Sequence, residues 1–225
     1  MVKNMIELIN ISKTIKDGSA NRDILGNVNL IINDGDYITI KGESGSGKST
    51  LLNIMSLLLK PTTGTVKING HEAYFGKEEQ LSQLRGENMG LVFQNPNLIS
   101  CLNAMDNIIL ASRSKHPHDS KERAKELLES VGMKDKMRSS IKSLSGGEAQ
   151  RIAIVRAMIN SPNILLCDEP TGALDKENTD KVISLIENVY EKNGCSLVIV
   201  THDEKIWQRG KRRIILERGL INEIC

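Results

Sequence analysis

Nine consecutive residues, GESGSGKST at 42–50, carry three glycines, a lysine and hydroxyls in the order G-x-x-x-x-G-K-[ST]. Gly42, Gly45 and Gly47 let the backbone curl so that amide N–H groups converge on an anion, and a helix starting just beyond favours the same charge. Glu43, Ser44 and Ser46 fill the loop between them. Lys48 would reach the β- and γ-phosphates of a nucleotide, the Ser49 hydroxyl would ligate Mg²⁺, and Thr50 leads into the helix. An ordinary Gly/Ser-rich turn shares a few of these features. The complete pattern between a strand-like YITIK and a helix-like TLLNIMSLL specifies a cradle for a nucleoside triphosphate, and nothing narrower.

Downstream, NILLCDEPTGALD (163–175) supplies carboxylates. Asp168 closes the apolar run ILLCD, which places it at the carboxyl edge of a sheet, where ligands of open α/β sheets sit. Its carboxylate suits Mg²⁺, directly or through water. Glu169 is placed to orient or deprotonate a water behind the γ-phosphate. Alone, an Asp-Glu pair is a strand-end cap beside a solvated acid; after a phosphate loop it reads as the other half of a site. His202 follows SLVIVT and Gln94 follows MGLVF. Either alone is as readily a structural residue as a ligand. As a set they suggest a γ-phosphate contact and an amide oxygen for Mg²⁺ or the attacking water. SLSGGEAQR (143–151) is a second glycine-rich turn without a lysine, able to offer backbone N–H groups to another anion.

The elements that position these groups follow from the apolar pattern. Strands are predicted at 5–10, 37–41, 65–68, 89–93, 164–168, 196–200 and 213–216, several of them continuously apolar, as strands covered on both faces are. Helical patterns cover 48–58, 104–112, 119–131, 146–160 and 176–192, with Asp119–Ser120 as a cap and Gly132 as a stop. Alternating strands and helices imply an α/β sheet with right-handed crossovers. About 96–160 is mostly helical and reads as a subdomain inserted into that sheet. KDGSAN (16–21) and NDGD (33–36) mark turns of an antiparallel N-terminal region.

In this order, GESGSGKST, Gln94, LSGGE, ILLCDEP, ALD and His202 resemble the nucleotide-binding domain of ATP-binding-cassette (ABC) transporters over essentially the whole chain. The resemblance implies one cassette over 1–225: a P-loop NTPase with a RecA-like core sheet, an N-terminal antiparallel β subdomain and an inserted helical subdomain. It implies ATP and Mg²⁺ as ligands and two copies that sandwich two ATP molecules head to tail. Ser145, Gly146 and Gly147, with Glu148 beside them, would then hold the γ-phosphate of the partner's ATP. Asp175 would communicate across the dimer, Glu169 would activate water and His202 would hold the γ-phosphate. Gln94 and the loop after it would receive a coupling helix from a transmembrane permease. The chain would work in the cytoplasm, on the inner face of the membrane.

Two positions depart from that pattern. Ile15 stands where the family usually has an aromatic residue against adenine, and Glu148 stands where many members have Gln. The Glu148 variant and PTGALD resemble cassettes of lipoprotein release, macrolide efflux and bacteriocin or antimicrobial-peptide export, so an exported peptide, lipid-linked or drug-like substrate is expected. A regulatory cassette, resembling the cell-division ATPase that signals through a membrane partner, fits the same residues.

Composition excludes other classes. With 30 basic and 28 acidic residues the net charge is +2, so no global field recruits nucleic acid, and none is expected as a partner. A ribosome-acting cassette would require a second cassette or a heptad tract. A metabolic kinase leaves LSGGE without a role. RGKRR (209–213) reads as a solvated approach to a strand. Cys101, Cys167, Cys195 and Cys225 form no CxxC pair and read as reduced thiols. The N-terminal MVKNMIELIN has no signal-peptide core, and no apolar run nears the ~18 residues of a membrane span.

Overall fold

The computed structural model describes residues 4–18 and 20–224. Met1 to Lys3, Ser19 of the first expected turn and Cys225 lie outside the described residues. In chain order the elements are β1 (Asn4–Asp17), β2 (Ala20–Asn33), β3 (Tyr37–Lys41), α1 (Lys48–Met55), β4 (Thr63–Ile68), β5 (His71–Glu72), α2 (Glu78–Asn88) and β6 (Met89–Phe93). There follow α3 (Ala104–Ile109), α4 (Pro117–Ser130), α5 (Gly146–Met158), β7 (Ile164–Asp168), α6 (Lys176–Asn193), β8 (Ser196–Thr201), α7 (Glu204–Trp207), β9 (Arg212–Glu217) and β10 (Leu220–Ile224). They group into two compact units, one running to Arg85 and resuming at Ser196, the other spanning Gly86–Cys195.

In the first unit, β2, β1, β4 and β5 form an antiparallel sheet in that order. β3 lies between β8 and β9 and is parallel to both, while β10 returns antiparallel along β9. Ile38, Ile40 and Leu197 to Val200 are fully buried, which explains why β8 reads as an apolar run and β3 as apolar but for Thr39. Buried Thr39 donates its hydroxyl to the Trp207 carbonyl at 2.6 Å and fixes α7 against β3. Two members of the basic cluster are structural: Arg212 pairs with Asp36 and Glu223, and Arg213 lies over the Trp207 ring.

The helix expected over 48–58 stops at Met55. Leu57 turns left-handed at φ 60° to bury its side chain, and the Leu58 and Leu59 N–H groups both return to the Asn53 carbonyl. α2 was not anticipated, because Leu81 is the one apolar residue that EEQLSQLRGEN buries and the helix carries no apolar stripe.

The second unit pairs β6 with β7 in parallel. Its helices enclose Ala104, Ile108, Ala124, Leu128, Met133, Ile152, Val155 and Ile159, with each fully buried Leu or Ile contributing about 1.5–3 kcal/mol. α4 begins at Pro117 rather than at the expected Asp119–Ser120 cap, since proline at the first position has no N–H to satisfy. The Ser120 hydroxyl instead meets that of Ser112 at 2.8 Å. α6 is closed by Asp175 at its start and by left-handed Gly194 at its end. Cys101 is exposed, and Cys167 and Cys195 are buried free thiols.

Candidate nucleotide site

In the first unit the loop from Gly42 to Gly47 joins β3 to α1. Gly45 and Gly47 take φ of 79° and 102°, a curl closed to side chains. A Cβ on Gly42 would collide with the Leu216 carbonyl oxygen, so the loop needs bare backbone there. Lys48 is buried and donates its ammonium to the carbonyls of Gly42 (2.8 Å) and Glu43 (2.9 Å), which holds the loop arched over its own lysine. α1 starts without a capping side chain or an acid in its first turn, which leaves its positive end for an anion. Ser46 Oγ is buried without a partner among the described residues, a polar atom that a phosphate ligand suits. Glu43 and Ser44 are exposed, and Ser49 and Thr50 sit in the first turn of α1. Beside the loop is a cavity of about 500 Å³ lined in part by Arg22, Ser44, Gly45, Ser46 and Arg218, large enough for a small ligand.

The β3–β8 register pairs Lys41 with Thr201, so Gly42 and His202 each stand one residue beyond the ends of adjacent strands. Ile15 lies opposite Arg22 in the β1–β2 ladder and is 43% exposed.

In the second unit, Phe93 pairs with Asp168, which puts Gln94 and Glu169 one residue past neighbouring strand ends. Asp168 and Glu169 are half-buried. Glu169 adopts φ 44°, unusual for a residue with a side chain, and its carbonyl accepts the Gly172 N–H at 3.0 Å. Strain of this kind costs about 1–3 kcal/mol and persists where surroundings enforce it. Gly172 leaves room for Gln94, since a Cβ there would come within 2.7 Å of Gln94 Nε2.

Two residues that sequence reading missed brace this edge. Buried Gln150 donates to the Phe93 carbonyl at 2.9 Å, and Arg156 donates to the carbonyls of Pro96 and Asn97. Their signal was a polar residue on the apolar face of α5, visible only once that face is known.

The second glycine-rich turn heads α5. The Ser145 hydroxyl accepts the Glu148 N–H at 3.2 Å, and Glu148 returns the favour to the Ser145 N–H at 2.8 Å, a reciprocal capping box. Ser145 and Gly146 are exposed and Gly147 is buried. The Ser145 amide, then Lys136, hold the Glu148 carboxyl below the usual glutamate range. Asp175 accepts both the backbone and side-chain N–H groups of Asn178, which depress its pKa. Asn178 in turn abuts Gly147, linking the second turn to the ALD segment within one chain.

A phosphate loop, a serine-capped glycine turn and a strand-end Asp-Glu, in this chain order, define a cassette ATPase. The model of the ABC transporter family matches residues 25–172, and the chain belongs to that family. Its relatives include ATP-binding proteins of lipoprotein-releasing and macrolide-export systems. It is 40% identical to the ABC transporter ATP-binding protein MJ0796 of Methanocaldococcus jannaschii, over 96% of this chain and 94% of that protein. A dimeric structure of MJ0796 in a post-hydrolysis state with ADP and Pi superposes with TM-score 0.90 at 38% identity, covering 98% of each chain. The lipoprotein-releasing system ATP-binding protein LolD of Leptospira interrogans is 38% identical, over 98% of this chain and 92% of its own. The macrolide export protein MacB of Aggregatibacter actinomycetemcomitans is 40% identical over 97% of this chain, which spans 34% of MacB's length.

Proposed function

We propose that this chain is the ATP-hydrolysing subunit of an export-type ABC transporter. It acts as a head-to-tail pair that drives a peptide, lipid-linked or drug-like substrate through separate transmembrane subunits. The observation that carries this reading is the pairing of an uncapped phosphate loop with a second, serine-capped glycine turn that has no lysine of its own. One turn grips the chain's own nucleotide, and the other needs a ligand from elsewhere. The dimeric MJ0796 cassette with ADP and Pi supports that arrangement.

Lys48 and the first turn of α1 hold the β- and γ-phosphates. Ser49, Gln94 and Asp168 each offer a hard oxygen donor of the kind Mg²⁺ takes and would hold the ion. Bound there, Mg²⁺ would offset phosphate charge. Glu169, with its backbone fixed by the turn to Gly172, orients and deprotonates the attacking water, and His202 contacts the γ-phosphate. Ser145, Gly146 and Gly147 meet the partner's γ-phosphate, so ATP contributes contacts that only the closed pair makes and hydrolysis removes them. Asp175, held by Asn178, carries the state of the second turn to the partner.

Among the described residues no helix is long and apolar enough to cross a membrane. As the ATPase of a transporter, the chain would sit on the cytoplasmic face beside a permease. Glu169→Gln protein should bind ATP, hydrolyse it slowly and accumulate as a dimer in light scattering. A fully active monomer would remove Glu169 from its role.

A further inference from the structure

The second turn sets a negative charge where a polyphosphate is to dock. Glu148 occupies the third position of α5, and its Oε2 is taken by the Ser145 N–H at 2.8 Å. That carboxylate lies within one helical turn of the hydroxyl and amides proposed to meet a γ-phosphate. An uncompensated like charge at that distance opposes binding, and the opposition grows with the charge of the ligand.

One cation answers it. Lys136, at the end of the short turn Lys134–Lys136, puts Nζ 3.0 Å from Glu148 Oε1. The two carboxylate oxygens therefore have separate partners, a backbone amide and an ammonium. The Glu148 side chain is 19% exposed and that of Lys136 is 42% exposed. An ion pair this open adds little to folding. Its position at the head of α5 gives it a different use.

We propose that Lys136 is a positioning residue of the second turn: by neutralising Glu148 it keeps the N-terminus of α5 receptive to the γ-phosphate held by a second copy of this chain. The inference rests on the head-to-tail reading above. It acts through Glu148, not through direct contact with the nucleotide, and that distinction is measurable.

The test measures ATP-driven dimerisation by sedimentation in the Glu169→Gln background. Lys136→Ala should weaken the dimer about five- to tenfold at low salt, toward the tenfold that corresponds to about 1.4 kcal/mol. Lys136→Glu should weaken it further, and Lys136→Arg should preserve it. Adding Lys136→Ala to Glu148→Gln should change the dimer by less than about twofold, because no carboxylate remains to neutralise. Binding of ADP to the monomer's own phosphate loop checks that each variant is folded. Equal losses in both backgrounds would make Lys136 a direct phosphate ligand and overturn the inference, as would no loss in either. A Glu169→Gln protein that stays monomeric refutes the head-to-tail reading and this inference with it. One that dimerises regardless of Lys136 refutes this inference alone.

Discussion

A methyl group added at Gly147 would stand 2.5 Å from Asn178 Oδ1 and 2.8 Å from its Cγ. Either Asn178 moves or the first turn of α5 moves. If Asn178 moves, it gives up the bond from its Nδ2 to Asp175 Oδ2, now 2.9 Å, at a cost of about 0.5–1.5 kcal/mol. Alanine, however, is a better helix former than glycine by about 0.8–1 kcal/mol. These terms nearly cancel, so Gly147→Ala should unfold in denaturant within about 1 kcal/mol of the wild type. Positioning does not cancel. A displacement near 1 Å of a group that must meet a reacting phosphate can cost about a hundredfold in rate. Release of phosphate from ATP by the purified protein should fall by at least about tenfold, while ADP binding at the chain's own loop stays normal. Wild-type turnover together with unchanged stability would refute the role given to the second turn and its link through Asn178.

Three further outcomes are expected. Lys48→Ala removes both bonds that arch the phosphate loop and should abolish nucleotide binding or turnover; unchanged turnover would remove the assignment of that loop. Ile15→Tyr, on an exposed position opposite Arg22, should tighten ATP binding by up to about tenfold through base stacking, read by titration; no gain would show that the base lies elsewhere. Glu148 has a depressed pKa in the folded chain, so its contribution is present at neutral pH and is lost as pH falls through that lowered value. The thermal stability of wild type relative to Glu148→Gln should therefore decline as the solution is acidified through and below the usual glutamate range, and a difference independent of pH would rule out the capping carboxylate.

Much of the site was legible without coordinates because its chemistry is local. GESGSGKST needs only its own glycines and the adjoining helix to form a cradle, and Asp175 caps α6 with a side chain three residues from the amide it accepts. The continuous apolar runs announced β7 and β8, since strands covered on both faces leave no polar alternation. Legibility failed where local pattern and packing disagree. LLNIMSLLL is apolar to its end, yet the helix stops at Met55 because the core takes Leu57 from a left-handed backbone. β10 and α2 bury too little of their own surface to leave a period.

The sequence by itself determined the class of chemistry: a triphosphate cradle, strand-end carboxylates and a second glycine turn, each encoded within a few adjoining residues. Only the tertiary structure decided how those parts are held. Lys136 reaches Glu148, Asn178 fills the space beside Gly147, and Gln150 ties the last carbonyl of β6. Such contacts join residues far apart in the chain, and their pairing depends on the distances that packing sets between elements, which local composition does not encode.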